Sequence, residues 1–367
     1  MAATTTTTAT AAPRPLANSY TAGKLPRWSP WTMLVVSWIV FGAIFAILAA
    51  SGITKDFNIV GAIFFGTVLF DVAIYTTSLL VEGRRKATDR LITSLVATAF
   101  IIALLPLISL GWTVIAQGLA RFDIAFFSES MRNVIGAGGG ALHAITGTLL
   151  ITGMAALISV PIGLLTSIYL VEYGRGMLAR GITFFVDVMT GIPSIVAGLF
   201  AYALFALFFG PAIRNGFMGS VALSVLMIPV VVRSSEEILR IVPNELREAS
   251  LALGVPKWLT VLKVILPTSL AGLVTGIMLA IARVIGETAP LLIVAGFTTS
   301  MNYDLFFDRM MTLPVFVYTQ YTQAAGLHAQ DSIDRAWTGA LALIIIVMLL
   351  NLVGRIIAKA FAPKYGR

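Results

Sequence analysis

Cysteine is absent, histidine occurs twice, and charged residues make up only 11% of the 367-residue chain. Without cysteine there is neither a disulfide framework nor a thiolate metal site, and the redox compartment stays open. His143 and His328 stand far apart and lack metal-ligand spacing, so both read as outer-face residues and no metal site is expected. No Gly-rich nucleotide loop of the Walker type occurs, and neither His-Glu-x-x-His nor Gly-x-Ser-x-Gly is present. Those absences exclude a built-in ATPase and the commoner hydrolase constellations, so no catalytic residue and no cofactor is expected in this chain. A secondary transporter would need an ion-coupling site and often internal repeats, and no convincing repeat relates the two halves.

What fills the chain instead is apolar. Hydrophobic residues reach 58% and mean hydropathy is +0.93, far outside the range of a soluble domain. The expected fold is all-α: a polytopic transmembrane helical bundle of about eight spans, at roughly 31–50, 57–81, 91–117, 144–170, 182–209, 218–233, 268–297 and 336–354. The longest of these should tilt, kink or extend into the interface. Residues 1–30, with a threonine run and Pro13, Pro15, Pro26 and Pro30, read as a disordered tail. No cleavable signal is evident, because the first apolar run starts late and is long enough to remain as an anchor.

Orientation follows from basic residues in the loops. With a cytoplasmic N-terminus, the inner segments collect Arg84, Arg85, Lys86 and Arg90, then Arg175 and Arg180, then Arg233, Arg240, Arg247, Lys257 and Lys263, and the basic C-terminal tail. The outer segments hold far fewer, so the positive-inside rule puts both termini in the cytoplasm of a multi-pass plasma-membrane protein. The net charge of +8 therefore points to membrane orientation and lipid contact, not to nucleic acid.

Between two apolar runs lies a polar, helix-prone segment from Pro243 to Pro267. Pro243 suits a first helical turn, and Glu245 and Glu248 sit early, where the helix dipole favours negative charge. Leu246, Ala249, Ser250 and Leu253 fall at helical spacing on one small face. Gly254 can take the left-handed conformation that ends a helix, and Pro256 can open a second one whose stripe is Trp258, Leu262 and Ile265. Helix, turn, helix on the cytoplasmic side is suited to a groove on a partner; an ordinary interfacial amphipathic linker is the competing reading.

A second informative segment is Arg283-Val284-Ile285-Gly286-Glu287-Thr288-Ala289-Pro290. Charges within an apolar run are costly and should face protein or water. Spacing of four puts Arg283 and Glu287 on one helix face, Gly286 lets another backbone approach, and Pro290 frees a carbonyl one turn earlier. The guanidinium fork fits a tetrahedral oxyanion; alternatively the two residues only neutralise each other. Arg233, at the inner end of the sixth run, either lines an exit path or anchors to lipid phosphates. Asp187 reads as the partner of a neighbouring polar group, Asp71 as a neutral membrane residue, and Gly138-Gly139-Gly140 as a flexible connection.

Together these segments resemble a known family. Glu248-Ala249-Ser250, Gly254 and Val264-x-Leu266-Pro267 are similar to the EAA loop of ABC importer permeases. Tyr169-Leu-Val-Glu172-Tyr173-Gly174, Gly191-Ile-Pro193-Ser194, Met227-Ile-Pro229 and Arg283-x-x-Gly286-Glu287-Thr288-Ala289-Pro290 add a likeness to the PstA permeases of phosphate importers. The resemblance runs from about residue 91 to the C-terminus. It implies a type I importer permease core at 91–367 with a coupling loop at 234–267, preceded by a two-helix extension at 31–90. It further implies ATPase coupling through Glu245, Glu248, Ala249, Ser250, Gly254, Val264, Leu266 and Pro267, and a substrate pathway involving Arg283, Glu287 and Arg233. The implied partners are a PstC-like permease, a PstB-like ATPase dimer holding ATP and Mg, and an outer phosphate-binding protein. A sulfate- or molybdate-like permease and a secondary anion transporter are the alternative functions.

Overall fold

The computed structural model describes residues 23–52 and 56–361. The expected tail up to residue 22 lies outside these. The described chain is helical and contains no strand among the described residues. It falls into two compact units divided between Leu110 and Gly111, inside helix α3 (Arg84–Gly118).

The first unit is built on α1 (Ser29–Ala50) and α2 (Ile59–Val81), each long enough to span a bilayer core. Gly66 of α2 lets Trp38 of α1 come so close that a Cβ would stand 2.7 Å from the indole, and Trp38 Nε1 donates to Thr67 Oγ1 at 3.1 Å. Phe41 and Phe45 stack on Phe65 across the pair. At the end of α2, Glu82 accepts from Arg90 Nε at 2.6 Å, Ser78 Oγ at 2.9 Å and Leu25 N at 3.0 Å. The Arg90 guanidinium leads in holding the Glu82 carboxyl down to a pKa of about 2, helped by the Leu25 and Ser78 donors. Asp71 accepts a hydrogen bond from Ser94 Oγ, which satisfies it within this unit.

The second unit centres on α5 (Leu142–Ile168) and α8 (Gly216–Ile241). Lipid offers no hydrophobic drive between helices, so close approach rests on small residues. Ser220 and Ser224 of α8 reach the carbonyls of Ile151 and Ala155 on α5 at 3.1 and 3.4 Å. At Gly163 a Cβ would meet Val231 at 2.7 Å. Ile151, Leu223, Met227, Val231, Ala280 and Phe316 fill the main core. α11 (Leu266–Val284) packs beside α8 through Gly272 and Gly276, which face Ile238 and Ser234, and beside α14 (Ala329–Phe361) through Gly354.

Among the described residues, seven helices are long and apolar enough to cross a membrane. The fifth expected span, 182–209, is broken into two helices, α6 (Gly176–Thr190) and α7 (Ser194–Phe209), bent by 109°, and counted as one broken span it makes eight. The cause is local: Pro193 pushes Ile192 out of helical conformation and brings no N–H to continue the ladder. The seventh span is shifted as well. It runs from Lys257 to Val284, not from 268 to 297, because the helix opened by Pro256 continues into the apolar run.

The loops flanking the N-terminal end of α5 are more ordered than their glycine content suggests. Arg121 and Arg335 donate to the carbonyls of Gly136, Gly138 and Gly139 at 2.7–3.3 Å. The glycine run expected to be a flexible connection is thus clamped by two guanidiniums. At Gly140 a Cβ would lie 2.5 Å from the carbonyls of Ala125 and Phe126. His143, expected on the outer face, is buried edge-on against Phe316, and neither ring nitrogen has a hydrogen-bond partner among the described residues. Its place in the first turn of α5 turns it inward. His328 is exposed and lies 3.1 Å from Asp331.

Candidate functional site: the coupling handle and the helix break

The polar segment folds as helix, turn, helix. α9 (Asn244–Ala252) follows Pro243 at its N-cap. Gly254 takes φ +76, and Val255 N closes back on Ser250 O at 3.2 Å, capping the orphan carbonyls of α9. Pro256 then opens α10 (Lys257–Thr260), which passes through a π-turn at Val261–Ile265 into α11. The π-turn advances each residue less around the axis than an α-turn does. Trp258 and Leu262 accordingly stay exposed while Ile265 turns into a core with Leu239, Val242 and Leu273. The expected Trp258–Leu262–Ile265 stripe is therefore split.

The predicted α9 face splits too. Ser250 is buried and shares a 2.9 Å hydrogen bond with Thr260, closing the helix pair. Leu246, Ala249 and Leu253 are exposed, as are Glu245, Glu248, Gly254 and Pro267; Val264 and Leu266 are half-buried. Apolar and acidic groups together form an open surface on α9.

Sequence reasoning missed what fixes this handle. Arg247 Nε donates to Glu172 Oε1 at 2.9 Å, Nη2 to Leu239 O at 2.8 Å and Nη1 to Asn244 Oδ1 at 3.1 Å and to Val242 O. It thereby caps the C-terminal carbonyls of α8, where a cation is favoured by the helix dipole. Lys257 Nζ donates to Glu172 O and stands 5.0 Å from the Tyr173 ring centroid. Glu172 and Tyr173 end a second π-turn, Tyr169–Tyr173, at the end of α5. The available signal was the Tyr169–Gly174 motif with its carboxylate, but Arg175, the cation nearest in sequence, is not the partner the structure gives it.

Next to the handle, Arg233 Nη1 donates to Glu236 Oε2 at 2.8 Å and Nη2 to Asp187, while Arg240 Nη2 reaches Glu236 Oε1 at 2.5 Å. This network ties α6 to α8, and Asp187 satisfies a neighbouring group as expected.

At the other end of α11 the helix stops at Val284, and α12 (Ala289–Val294) starts after a break of four residues. Arg283 stands in the last turn of α11. Glu287 lies in the break, so the two are not on one helix face. Among the described residues neither side chain has an ion pair or hydrogen bond; Arg283 is exposed and Glu287 half-buried. The expected mutual neutralisation is not made. Pro290 sits in the first turn of α12, where its missing N–H costs nothing. The close backbone approach is not at Gly286, which has open space around it, but at Gly198 of α7, where a Cβ would lie 2.7 Å from Pro290 Cα. α7 thus seats α12 and positions the break. Arg233 is not brought to this break; it belongs to the network beside the handle.

No group of three or more His, Asp or Glu among the described residues could hold a metal ion. Comparison with known proteins adds identity to this geometry. Residues 159–367 match the family described as binding-protein-dependent transport system inner membrane component. The chain is 46% identical over 277 residues to phosphate transport system permease protein PstA 1 of Mycobacterium tuberculosis (strain CDC 1551 / Oshkosh), covering 75% of this chain and 90% of that one. It is 37% identical over 289 residues to phosphate transport system permease protein PstA of Pasteurella multocida (strain Pm70), covering 77% and 97%. In fold it is similar to a crystal structure of a bacterial alginate ABC transporter with its periplasmic protein, at TM-score 0.53 and 12% identity over 76% of this chain and 97% of that one. The chain is a multi-pass membrane transport subunit that belongs to the binding-protein-dependent inner membrane components, in the PstA branch of the family.

Proposed function

We propose that this subunit forms half of the translocation pathway of an ATP-driven phosphate importer. Its partners are a second, PstC-like permease, a PstB-like ATPase dimer that carries ATP and Mg, and an outer phosphate-binding protein. Both termini face the cytoplasm, residues 31–90 are an extension, and 91–367 form the permease domain with its coupling loop at 234–267. The observation that carries this reading is the exposed α9 surface, with Glu245, Glu248 and Ala249 open, Ser250 closing α9 on α10, and Arg247 and Lys257 tying the pair to the ends of α5 and α8.

The handle is continuous with the pathway. Lys257–Val284 is one span of 28 residues, about 42 Å at 1.5 Å per residue, with the handle at one end and Arg283 at the other. When ATP closes the ATPase dimer, α9 is drawn with it and the rods α8 and α10–α11 tilt together. Their tilt changes the side to which the Arg283–Glu287 break is open. Arg283 offers a planar fork to phosphate oxygens. Glu287 accepts a hydrogen bond from the hydroxyl that phosphate keeps near neutral pH and sulfate lacks, which favours the former.

The experiment is uptake of labelled phosphate by cells or proteoliposomes carrying this chain with and without the co-expressed ATPase and second permease, in competition with sulfate and molybdate. Uptake that needs all components and resists sulfate supports the reading. Uptake without the ATPase would overturn it, and competition by sulfate would redirect the substrate.

A further inference from the structure

A basic cleft at the handle end of the subunit is used neither by the exposed α9 surface nor by the Arg283–Glu287 break. It has a volume of 380 Å³ and lies between the π-turn that ends α5 and the last turn of α8. Its walls include Arg175, Arg240, Asn244, Arg247 and Lys257, with Glu172 as the one carboxylate among the lining residues. Glu172 is matched by Arg247, and Lys257 is spent on the Glu172 carbonyl. Two guanidiniums retain donors. Arg175 has no hydrogen bond or ion pair among the described residues, and Arg240 commits only Nη2, to Glu236.

The backbone holds Arg175 at this place. It is the N-cap of α6 in extended conformation, followed by Gly176 at φ +79. Cations gathered with one neutralised carboxylate repel one another, and an anion among them relieves that repulsion. The guanidinium fork matches two oxygens of a phosphate group better than a lone carboxylate oxygen does. An adjoining cleft of 410 Å³ makes the contrast. It shares Arg240 and adds Arg180, but Asp187 and Glu236 line it too, so it holds as many carboxylates as guanidiniums.

We propose that the Arg175–Arg240 cleft binds a phosphate group from the cytoplasmic side, either as the headgroup of an anionic phospholipid or as free inorganic phosphate. The cytoplasmic placement rests on the orientation given above. An anion there touches the walls that anchor α9, so its occupancy stiffens the handle. From lipid this is a standing clamp; from free phosphate it is feedback from accumulated cargo.

The test uses the assembled transporter in nanodiscs of phosphatidylcholine alone or with phosphatidylglycerol. Native mass spectrometry reads retained phosphatidylglycerol. Thermal shift in the phosphatidylcholine discs reads binding of added inorganic phosphate. Arg175→Gln, which removes no hydrogen bond or ion pair among the described residues, should weaken whichever ligand binds by about fivefold, and Arg175→Gln with Arg240→Gln by more. Equal ligand retention and equal shift in wild type and variants would overturn the proposal. Loss of the ATPase from the purified variant with both ligand readouts unchanged would also overturn it, making the cleft a protein contact. Neither readout depends on transport, and phosphate uptake by the wild-type preparation, measured alongside, reports separately on the importer reading.

Discussion

Arg247 Nε and Glu172 Oε1 are 2.9 Å apart, joining α9 to the end of α5 across 75 positions of sequence. The side chains keep only 16% and 6% of their exposure, so the pair is largely withdrawn from water. Breaking such a pair from one side leaves the other charge uncompensated, and that penalty exceeds the net worth of the intact pair. The same guanidinium caps α8 through Leu239 O and Val242 O. A pull on α9 therefore reaches α5 and α8 through one side chain.

Arg247→Ala should lose most coupled phosphate uptake and destabilise the subunit by about 2 kcal/mol, below the range for fully buried pairs because Arg247 keeps some solvent contact. Glu172→Gln should cost less, since the carbonyl caps survive. The double variant tests the link: a coupling energy of about 1–2 kcal/mol is expected from thermal unfolding in detergent. Strict additivity would show the two residues to act independently.

Gly254 holds φ +76 with no atom within 4 Å of a would-be Cβ. A substitution there strains the backbone without a clash, at about 1–2 kcal/mol. Gly254→Ala should therefore insert normally yet hydrolyse ATP with reduced uptake per ATP, and Glu248→Lys should do the same by reversing charge on the exposed face. The readout is the ratio of phosphate transported to ATP hydrolysed; a ratio equal to wild type in both variants would remove α9 from the coupling path.

Much of the handle was legible beforehand, because its determinants are local: Pro243, Gly254 and Pro256 each act within a turn of themselves. The π-turn at Val261–Ile265 was not, since nothing in the Val-Leu-Lys-Val-Ile composition marks it, and it reassigns Ile265 to the core. The Arg283–Glu287 spacing misled for a related reason. A four-residue interval implies a shared face only if the helix continues, and here it ends at Val284. Gly198 against Pro290 and Arg247 against Glu172 are contacts between distant segments, which periodicity cannot reach. The bend at Gly191-Ile192-Pro193 was visible as a proline, but apolarity on both sides disguised it as one span.

Glu82 gives a pH test confined to the first unit. Its carboxyl is held near pKa 2 by Arg90 and the Leu25 and Ser78 donors, against an ordinary 4.5. A depressed carboxyl contributes stability that is complete above the unfolded pKa and is lost as pH falls from about 4.5 towards 2. The thermal-stability gap between wild type and Glu82→Gln should be constant above about pH 5 and narrow below it. A gap independent of pH down to 3 would mean that Arg90 does not hold the charge.

Gly198 and Gly286 separate packing from motif membership. A Cβ at Gly198 would stand 2.7 Å from Pro290 Cα, a backbone atom that cannot swing aside, whereas Gly286 has nothing within 4 Å. Gly198→Ala should displace α12, cost about 1–3 kcal/mol and lower uptake severalfold. Gly286→Ala should be nearly neutral in stability. Equal effects of the two on folding would contradict the α7–α12 contact.

Arg283 and Glu287 are the remaining pair, and their separation by a helix end decides what to expect. Since neither neutralises the other, removing one leaves no stranded buried partner, and both variants should fold. Arg283→Gln should abolish most uptake by removing the fork proposed to meet the anion, an interaction of about 1.5–3 kcal/mol for charge-assisted hydrogen bonds, or roughly tenfold to hundredfold. Glu287→Gln keeps size and an acceptor but removes the negative charge that repels a fully ionised oxyanion. Phosphate uptake should fall modestly while inhibition by sulfate rises, read as the competitor concentration that halves phosphate uptake. If sulfate competes no better in Glu287→Gln than in wild type, Glu287 does not discriminate between the two oxyanions.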